Sequence, residues 1–348
     1  MRERGLLLRL ADAQALLESG QHAALLGQLS MQPQEDLERF PELMVLCAIA
    51  HARLGQLTEG VRWAQRALDR AVARGHRAVE VRTHNVLGAI ALDGGKIDDA
   101  TRHFIKAIAA AKREGDHGTV GRSAGNLGVI ATMCGDYARA IGWYTMALTA
   151  YQRMDIRDGT AEVLNNLAIT YRDMGDYDRA LVTADSAVDA AEAAGERRLA
   201  NLAYGCRAEI RLLAGDVELA RREIEQALER ERVMGDVVGE TEDLRVFAGT
   251  EAAKGRVDEA LGLLRDVIER ANSFPRPLLL AQAERDLARM LYNRGEVSEA
   301  LAVAQSARDG FSTLGVRIEV AKLDALIAMA RVAHPGRAGR QTPATVAA

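Results

Sequence analysis

The chain has 348 residues, of which 48% are hydrophobic and only 4% aromatic, so its apolar content is mostly aliphatic and favours helices. With 45 basic and 49 acidic residues the formal net charge is −4, which argues against direct nucleic-acid binding. Six prolines are too few for a turn-rich β-sandwich, and three widely spaced cysteines give neither a disulfide framework nor metal-ligand spacing. No uncharged apolar run is long enough for a signal peptide or a membrane span, so we expect no membrane contact and a cytoplasmic location.

The first 40 residues are predicted to form a degenerate hairpin. Leucines occur before and after Gly20 at helical spacing, but they lack the regular pattern that follows in the rest of the chain. Residues 1–40 are therefore expected to cap one end of a helical array. The leucine-rich stretch at positions 6–10 is also a candidate surface for self-association.

From position 41 to position 315 the sequence repeats every 40 residues. Three columns of small residues keep this register, five and twelve residues after a recurring glycine and seven residues before it. Small side chains at fixed places let neighbouring helices approach closely, as stacked hairpins require. We therefore predict seven helix hairpins over residues 41–315. The recurring glycines are Gly55, Gly95, Gly135, Gly175, Gly215, Gly255 and Gly295.

Each repeat contains two stretches with the apolar spacing of a helix, as in the run from Leu57 to Leu68. The recurring glycine is predicted to end the first helix. A second glycine, replaced by Asp155 in one repeat and by Pro275 in another, is predicted to end the second helix. We expect an aspartate directly after the recurring glycine to cap the second helix in three repeats, through Asp136, Asp176 and Asp216.

The last part of the chain departs from the repeat. Residues 316–333 have the pattern of one further helix and are predicted to cap the other end of the array. Leu323, Ile327 and Met329 on this helix are a second candidate surface for self-association. Residues 334–348 contain two prolines and no apolar period, so this tail is predicted to be disordered.

The best-preserved repeat carries Asn166, Leu167, Ala168, Tyr171, Gly175, Asp176, Tyr177, Ala180 and Ala187. This pattern resembles the tetratricopeptide repeat, although 40 residues exceed the commonest repeat length. The longer unit is similar to the subclass found in kinesin light chains and in bacterial peptide-sensing regulators. Over roughly residues 41–331 the resemblance implies an all-α fold, a right-handed α–α superhelix of helix hairpins. It also implies a module that binds proteins or peptides.

The resemblance implies that the first helix of each hairpin lines a concave face whose exposed residues contact a bound segment. Three positions of this helix carry polar residues in neighbouring repeats, and two of these positions lie one turn apart. The candidate binding residues at these positions are Arg82, Arg122 and Glu162; Asn126 and Asn166; and Asn85 and Asn165.

Asparagine suits a groove that binds an extended peptide. Its amide both donates and accepts, so a ladder of amides can pair with a peptide backbone whatever the peptide sequence. A guanidinium can hold a carboxylate through two hydrogen bonds. We therefore expect the four asparagines to contact backbone, and Arg82 and Arg122 to contact negative charge. The alternative is that the asparagines bond neighbouring helices while the arginines form a solvated face with Glu162.

A second charged set lies further along the chain, on the first helices of later repeats. Because it mixes both signs of charge, an intramolecular network of salt bridges is the favoured interpretation. The set consists of Arg245, Arg285 and Arg289, with Glu209, Glu242 and Asp286.

No catalytic signature accompanies these features. The seven histidines lack the spacing of a zinc helix, and the three cysteines are expected to be packed thiols, so we predict no catalytic residue, metal or cofactor. The favoured function is a non-catalytic scaffold or adaptor that binds an extended peptide or a partner helix in the concave groove. The alternative is a peptide-sensing regulatory protein that switches a separate transcriptional or signalling partner. An enzyme would need titratable groups converging in a closed pocket, which an open solenoid seldom provides.

Overall fold

The computed structural model describes residues 2–273 and 276–333 of the chain. Within these ranges all regular structure is helical, in 18 helices without a strand, and the fold class is the all-α solenoid of helix hairpins that the sequence predicts. The tail for which we predict disorder, residues 334–348, lies outside the described residues. The chain divides into two compact units, of which the first ends at Arg207 and the second begins at Ala208.

The first unit contains three N-terminal helices and then four hairpins, each made of a first and a second helix. Its helices are α1 Arg2–Glu18, α2 His22–Ser30, α3 Gln34–Arg39, α4 Pro41–Arg53, α5 Leu57–Arg74, α6 Arg77–Asp93, α7 Ile97–Glu114, α8 His117–Met133, α9 Tyr137–Gln152, α10 Arg157–Asp173 and α11 Tyr177–Ala194. The boundary between the units falls within the next helix, α12 Arg197–Ala214.

The second unit continues the same alternation of helices. Helix α14 packs on α13 and α15, and α16 packs on α15 and α17. The last described helix, α18, packs on α17 and α16. These helices are α13 Val217–Met234, α14 Val237–Ala253, α15 Val257–Asn272, α16 Pro277–Arg294, α17 Val297–Thr313 and α18 Arg317–Ala333.

The three columns of small residues lie inside the stacks. In the column seven residues before the recurring glycine, each residue from Ala48 to Ala288 is buried. The residues of the two columns after the recurring glycine are buried as well. Ala328, which continues the first of these columns, is exposed because no described helix follows α18. Side chains this small allow helix axes to pack about 8–10 Å apart. The alanine content of the sequence is therefore concentrated where hairpins meet.

Left-handed backbone ends the helices at the predicted places. The recurring glycines have φ values between 70° and 96°. Asp155, which replaces a glycine in the register, has a φ of 51° and is the one described residue other than glycine with a positive φ. Aspartate tolerates this conformation better than most L-residues, because its short polar side chain can bond locally.

The predicted aspartate caps form at two of three positions. Asp136 and Asp176 accept hydrogen bonds from the third backbone N–H of their helices, at 3.3 and 3.1 Å. Asp216 forms no such bond, and this part of the prediction is wrong. In the two capped cases the third residue of the helix is an arginine, which also forms an ion pair with the aspartate. In α13 the third residue is Leu219.

Two tyrosine rings enter the stacks where glycine makes room. Tyr144 is fully buried against Gly128, where an added Cβ would lie 2.4 Å from the ring. Tyr151 is buried between Gly121 and Gly159 in the same way, with added Cβ atoms at 2.4 and 2.7 Å. These contacts are closer than van der Waals packing allows, so the glycines are required by the rings.

The two candidate surfaces for self-association differ in how much of them can be described. Leu323 and Ile327 are buried within the unit itself, and Met329 is 51% exposed. The side chains of the leucine-rich stretch at positions 6–9 lie outside the described residues.

We predict that Gly128→Ala lowers the free energy of unfolding by about 1–3 kcal/mol, because the added methyl overlaps the Tyr144 ring. The matched control is Gly142→Ala in helix α9, where no atom lies within 4 Å of the added Cβ. Helix propensity makes the control more stable by about 0.5–1 kcal/mol. Urea denaturation of both variants measures the difference, and equal effects would contradict the steric explanation.

Candidate functional site

The first helices of four consecutive hairpins enclose a groove in the first unit. Helices α4, α6, α8 and α10 contribute side chains to a cavity of about 500 Å³, within the usual range for ligand pockets of about 300–1,000 Å³. Its apolar lining includes Ile49, Ala52, Val86, Ala89, Ile90, Leu92, Val129, Tyr151 and Val163. Its polar lining consists of Arg53, Asn85, Asp93, Arg122, Asn126, Glu162 and Asn166.

Five of the seven predicted binding residues line this cavity, and two do not. Arg82 lies beside it on α6 and is half-buried, near enough to Arg122 for the two positive charges to affect each other. Asn165 is buried and does not line the cavity, so the structure separates it from the other asparagines. The five lining residues are Asn85, Arg122, Asn126, Glu162 and Asn166.

The asparagine side chains of the groove differ in whether they form hydrogen bonds within the chain. Asn85 accepts a hydrogen bond through Oδ1 from the Ser123 hydroxyl at 2.8 Å. The side chains of Asn126 and Asn166 form no hydrogen bond with other described residues, which argues against a role in joining neighbouring helices. Each of these two amides therefore presents an unused donor and acceptor to the groove.

The arginines of the groove have no carboxylate partner. Arg122 donates one hydrogen bond, to the Thr119 hydroxyl at 3.1 Å, and no described carboxylate forms an ion pair with Arg53, Arg82 or Arg122. Burial lowers the pKa of Arg82, and the neighbouring charge of Arg122 lowers it further. The charge of Glu42 opposes this shift without forming an ion pair, and burial and the like charge of Arg122 outweigh it.

The acidic residues of the groove form no ion pair with these guanidiniums. Glu162 and Asp93 have exposed atoms, but the surrounding walls reduce their solvation and raise the pKa of both carboxyls. The charge of Arg53 opposes this shift in both cases without forming an ion pair. Arg122 and Glu162 are both exposed, and the solvated face that they would share stays a prediction.

The first helices of the second unit carry charges that are paired with one another. Arg245 is only 10% exposed and donates to Glu209 and Asp286, each at 2.8 Å. Arg285 donates to Asp286 and to Glu319 at 3.0 Å. The neighbouring carboxylates raise the pKa of both arginines, and Arg285 and Arg245 lower that of Asp286. The predicted salt-bridge network is therefore present, and it joins successive first helices.

Sequence reasoning missed three residues of the groove. Arg53 and Asp93 occupy one register position at the ends of their helices, two residues before the recurring glycine. Extending the same helix face by two more turns would have found them. Tyr151 comes from the second helix α9 and reaches the groove between two glycines, and no first-helix pattern could have indicated it.

The other residues considered for chemistry are packed within the chain. His84 and His103 share a hydrogen bond between their Nδ1 atoms at 3.1 Å, and burial lowers the pKa of His84 to about 4. Cys47 and Cys206 are buried. Among the described residues, no three or more His, Cys, Asp or Glu side chains are placed to hold a metal ion. No helix in those ranges is both long and apolar enough to cross a membrane.

Comparison with sequence families now identifies the repeat. Models described as tetratricopeptide repeat match residues 79–153, 119–193 and 248–313, which together make up more than half of the chain. The chain belongs to the tetratricopeptide repeat family. Comparison with curated protein sequences gives no significant match.

Solved structures share the fold at low sequence identity. NprR in complex with its cognate peptide NprX is 16% identical with a TM-score of 0.62, over 94% of this chain and 97% of that one. A Rap protein complexed with competence and sporulation factor is 12% identical with a TM-score of 0.60, over 95% and 99%. The signal transduction ATPase with a tetratricopeptide repeat sensor from Pyrococcus horikoshii is 15% identical with a TM-score of 0.59. The match covers 93% of this chain, which spans 48% of the ATPase.

We predict that arginines of the two units respond differently to loss of charge. Arg245→Met leaves Glu209 and Asp286 without their shared cation and is expected to cost about 3–5 kcal/mol of stability. Arg82→Met removes a cation that has no ion pair and is expected to change stability by less than about 0.5 kcal/mol. Urea denaturation followed by circular dichroism compares the variants. A large loss on changing Arg82 would mean that this arginine has a structural role.

Proposed function

We propose that the protein is a non-catalytic binding module that captures an extended peptide or a segment of a partner protein in the groove of its first unit. Asn126 and Asn166 contact the backbone of the bound segment, with Asn85 beside them. Arg82 and Arg122 contact a negative group of that segment. Glu162 borders the same groove.

One observation supports this proposal: the side chains of Asn126 and Asn166 form no hydrogen bond with other described residues, and Arg82 and Arg122 form no ion pair with a described carboxylate. Polar and charged groups that are partly removed from water without partners cost free energy, so their presence is better explained by a ligand than by stability. The paired arginines of the second unit can be compared with the groove arginines within the same chain. They occupy comparable positions on first helices, yet each is matched to carboxylates of its own unit.

The solved structures of the same fold are consistent with this proposal. NprR and the Rap protein were both determined with a bound peptide or factor. At this low identity, the similarity extends to the fold of the present chain and not to its ligand. An unpartnered amide ladder with apolar walls nevertheless fits a main chain, since every residue of a peptide offers one donor and one acceptor.

Regulation by the captured peptide is a second candidate function. The ATPase from Pyrococcus horikoshii has a tetratricopeptide repeat sensor, and an apo quorum sensor, NprR from B. thuringiensis, shares the fold at 15% identity. In this version, occupancy of the groove switches a separate transcriptional or signalling partner in the cytoplasm. It predicts that the output protein and the peptide bind different surfaces of the chain.

We predict that replacing Arg122 by Glu together with Asn166 by Ala abolishes partner capture while leaving helicity and melting unchanged. The change reverses one groove charge and removes one backbone contact. The assay immobilises each protein, exposes it to lysate and peptide extract of the native cell, and identifies bound material by mass spectrometry. Ligands retained by the wild type and lost by the variant are then synthesised and titrated.

The matched control replaces Arg113 by Glu and Asn272 by Ala, two exposed residues outside the groove. It should capture the same partners as the wild type. Unaltered capture by the groove variant would refute the assignment of the groove. Loss of capture by the control as well would indicate a general charge effect.

A further inference from the structure

One part of the groove carries a basic set of charged side chains. Arg82 and Arg122 are the sixth residues of helices α6 and α8. The charges that act on Arg82 are those of Arg122 and of Glu42, which lies one repeat earlier in the same register on α4. No ion pair joins any two of these three described residues. The basic set therefore contains two cations and one anion.

An acidic set of charged side chains borders the same groove. Glu162 is the sixth residue of α10, and Asp158 lies one turn before it on the same helix. The charges that act on Glu162 are those of Asp158 and Arg53, and Arg53 also acts on Asp93. These four described residues form no ion pair with one another. The acidic set therefore contains three anions and one cation.

The two sets share one cavity. Arg122 of the basic set and Arg53, Asp93 and Glu162 of the acidic set all line it. Tyr151, in the wall of the cavity, is affected by Arg122 from one set and by Glu162 from the other. The cation that acts appreciably on Glu162 is nevertheless Arg53, within its own set. The groove therefore presents a net positive and a net negative region to the same occupant.

A ligand with charges of both signs would suit this arrangement. Burial is the largest influence on these groups, and it lowers the pKa of Arg82 and raises the pKa of Glu162 and Asp93. Burial therefore disfavours the charged form in both sets, and an opposite charge brought by a ligand would offset it. A ligand with charge of a single sign would be attracted at one set and repelled at the other.

We propose that the groove selects a dipolar peptide segment, in which an anionic group faces Arg82 and Arg122 and a cationic group faces Glu162 and Asp158. This inference rests on the proposed function, the capture of a segment in this groove. The anionic group is an acidic side chain or a terminal carboxylate, and the cationic group is a basic side chain or a terminal ammonium.

The spacing of the two groups follows from the spacing of the helices. Helices α8 and α10, which carry Arg122 and Glu162 at the same register position, pack against each other. Packed helix axes lie about 8–10 Å apart. An extended chain covers about 3.3–3.6 Å per residue, so the two charged groups of the segment should be about three residues apart.

The test selects ligands from a library of randomised heptapeptides between glycine–serine linkers, displayed on mRNA and presented to the full-length protein. We expect the wild type to enrich peptides with one acidic and one basic residue about three positions apart, in a single order. Enrichment is measured by sequencing before and after selection.

Charge reversal of each set identifies the ligand group that it binds. Arg82→Glu with Arg122→Glu should replace the acidic residue of the enriched peptides by a basic one. Asp158→Lys with Glu162→Lys should replace the basic residue by an acidic one. Each variant should bind its own consensus peptide roughly tenfold more tightly than that of the wild type, because like charges that face each other repel.

The reversals are checked for folding by circular dichroism. If one does not fold, Arg122→Met or Glu162→Gln takes its place, and each should weaken the selection for the charged residue that it faces. The matched control is Lys112→Glu with Arg113→Glu, two exposed residues of α7 outside the groove. It should enrich the same peptides as the wild type.

Synthetic peptides then distinguish the two sources of charge. One copy of the leading peptide keeps its charged side chains and has both ends blocked. A second copy is cut to the segment between the two charged positions, carries alanine there, and supplies the charges from a free ammonium and a free carboxylate. Titration of both copies shows which source the groove prefers.

The outcomes separate this inference from the proposed function. Enriched peptides without paired charges, or a pattern that neither reversal changes, would overturn the inference; the second result is expected if the charges form only a solvated face. The proposed function would still stand if those peptides were lost by Arg122→Glu with Asn166→Ala. Enrichment that this variant retains would contradict the proposed function itself.

Discussion

Close approach of helices at the small-residue columns is the constraint on which the rest of the molecule depends. A hairpin buries its apolar face only against the next hairpin, and that contact requires alanine or glycine where the helices meet. Larger side chains must then fit into gaps, and Tyr144 and Tyr151 do so above glycines. The positions left for function are those that point away from these contacts, on the open face of the first helices.

The two units use that open face in different ways. In the second unit the arginines are satisfied by carboxylates on neighbouring first helices, so charge serves to hold the stack together. In the first unit the corresponding face surrounds a cavity, where the amides of Asn126 and Asn166 form no hydrogen bond with described residues and the guanidiniums form no ion pair. The backbone that presents these residues is the same repeated hairpin in both units. The two faces therefore differ in the side chains that adjacent repeats place beside each arginine.

The sequence predicts the hairpins well because a 40-residue period displays each helix contact many times over. It predicts the groove less completely, for local reasons. Asn165 and Asn166 are neighbours in sequence, but consecutive helical residues point about 100° apart, so one enters a helix contact and the other the cavity. Arg53 and Asp93 lie too far along their helices to share the positions that were compared. Asp216 occupies the same register position as Asp136 and Asp176 but forms no cap hydrogen bond, a difference that the repeat pattern does not display.

Tyr151 is at once a core residue and a wall of the groove. Its ring is held between Gly121 and Gly159, while the same side chain borders the cavity near Arg122. A substitution that reshapes the pocket at this point also opens a void between two hairpins, so new specificity cannot be acquired there without a loss of stability. Variation among related chains should therefore accumulate at the amide and charged positions of the groove, with the tyrosine and its two glycines changing only as a set.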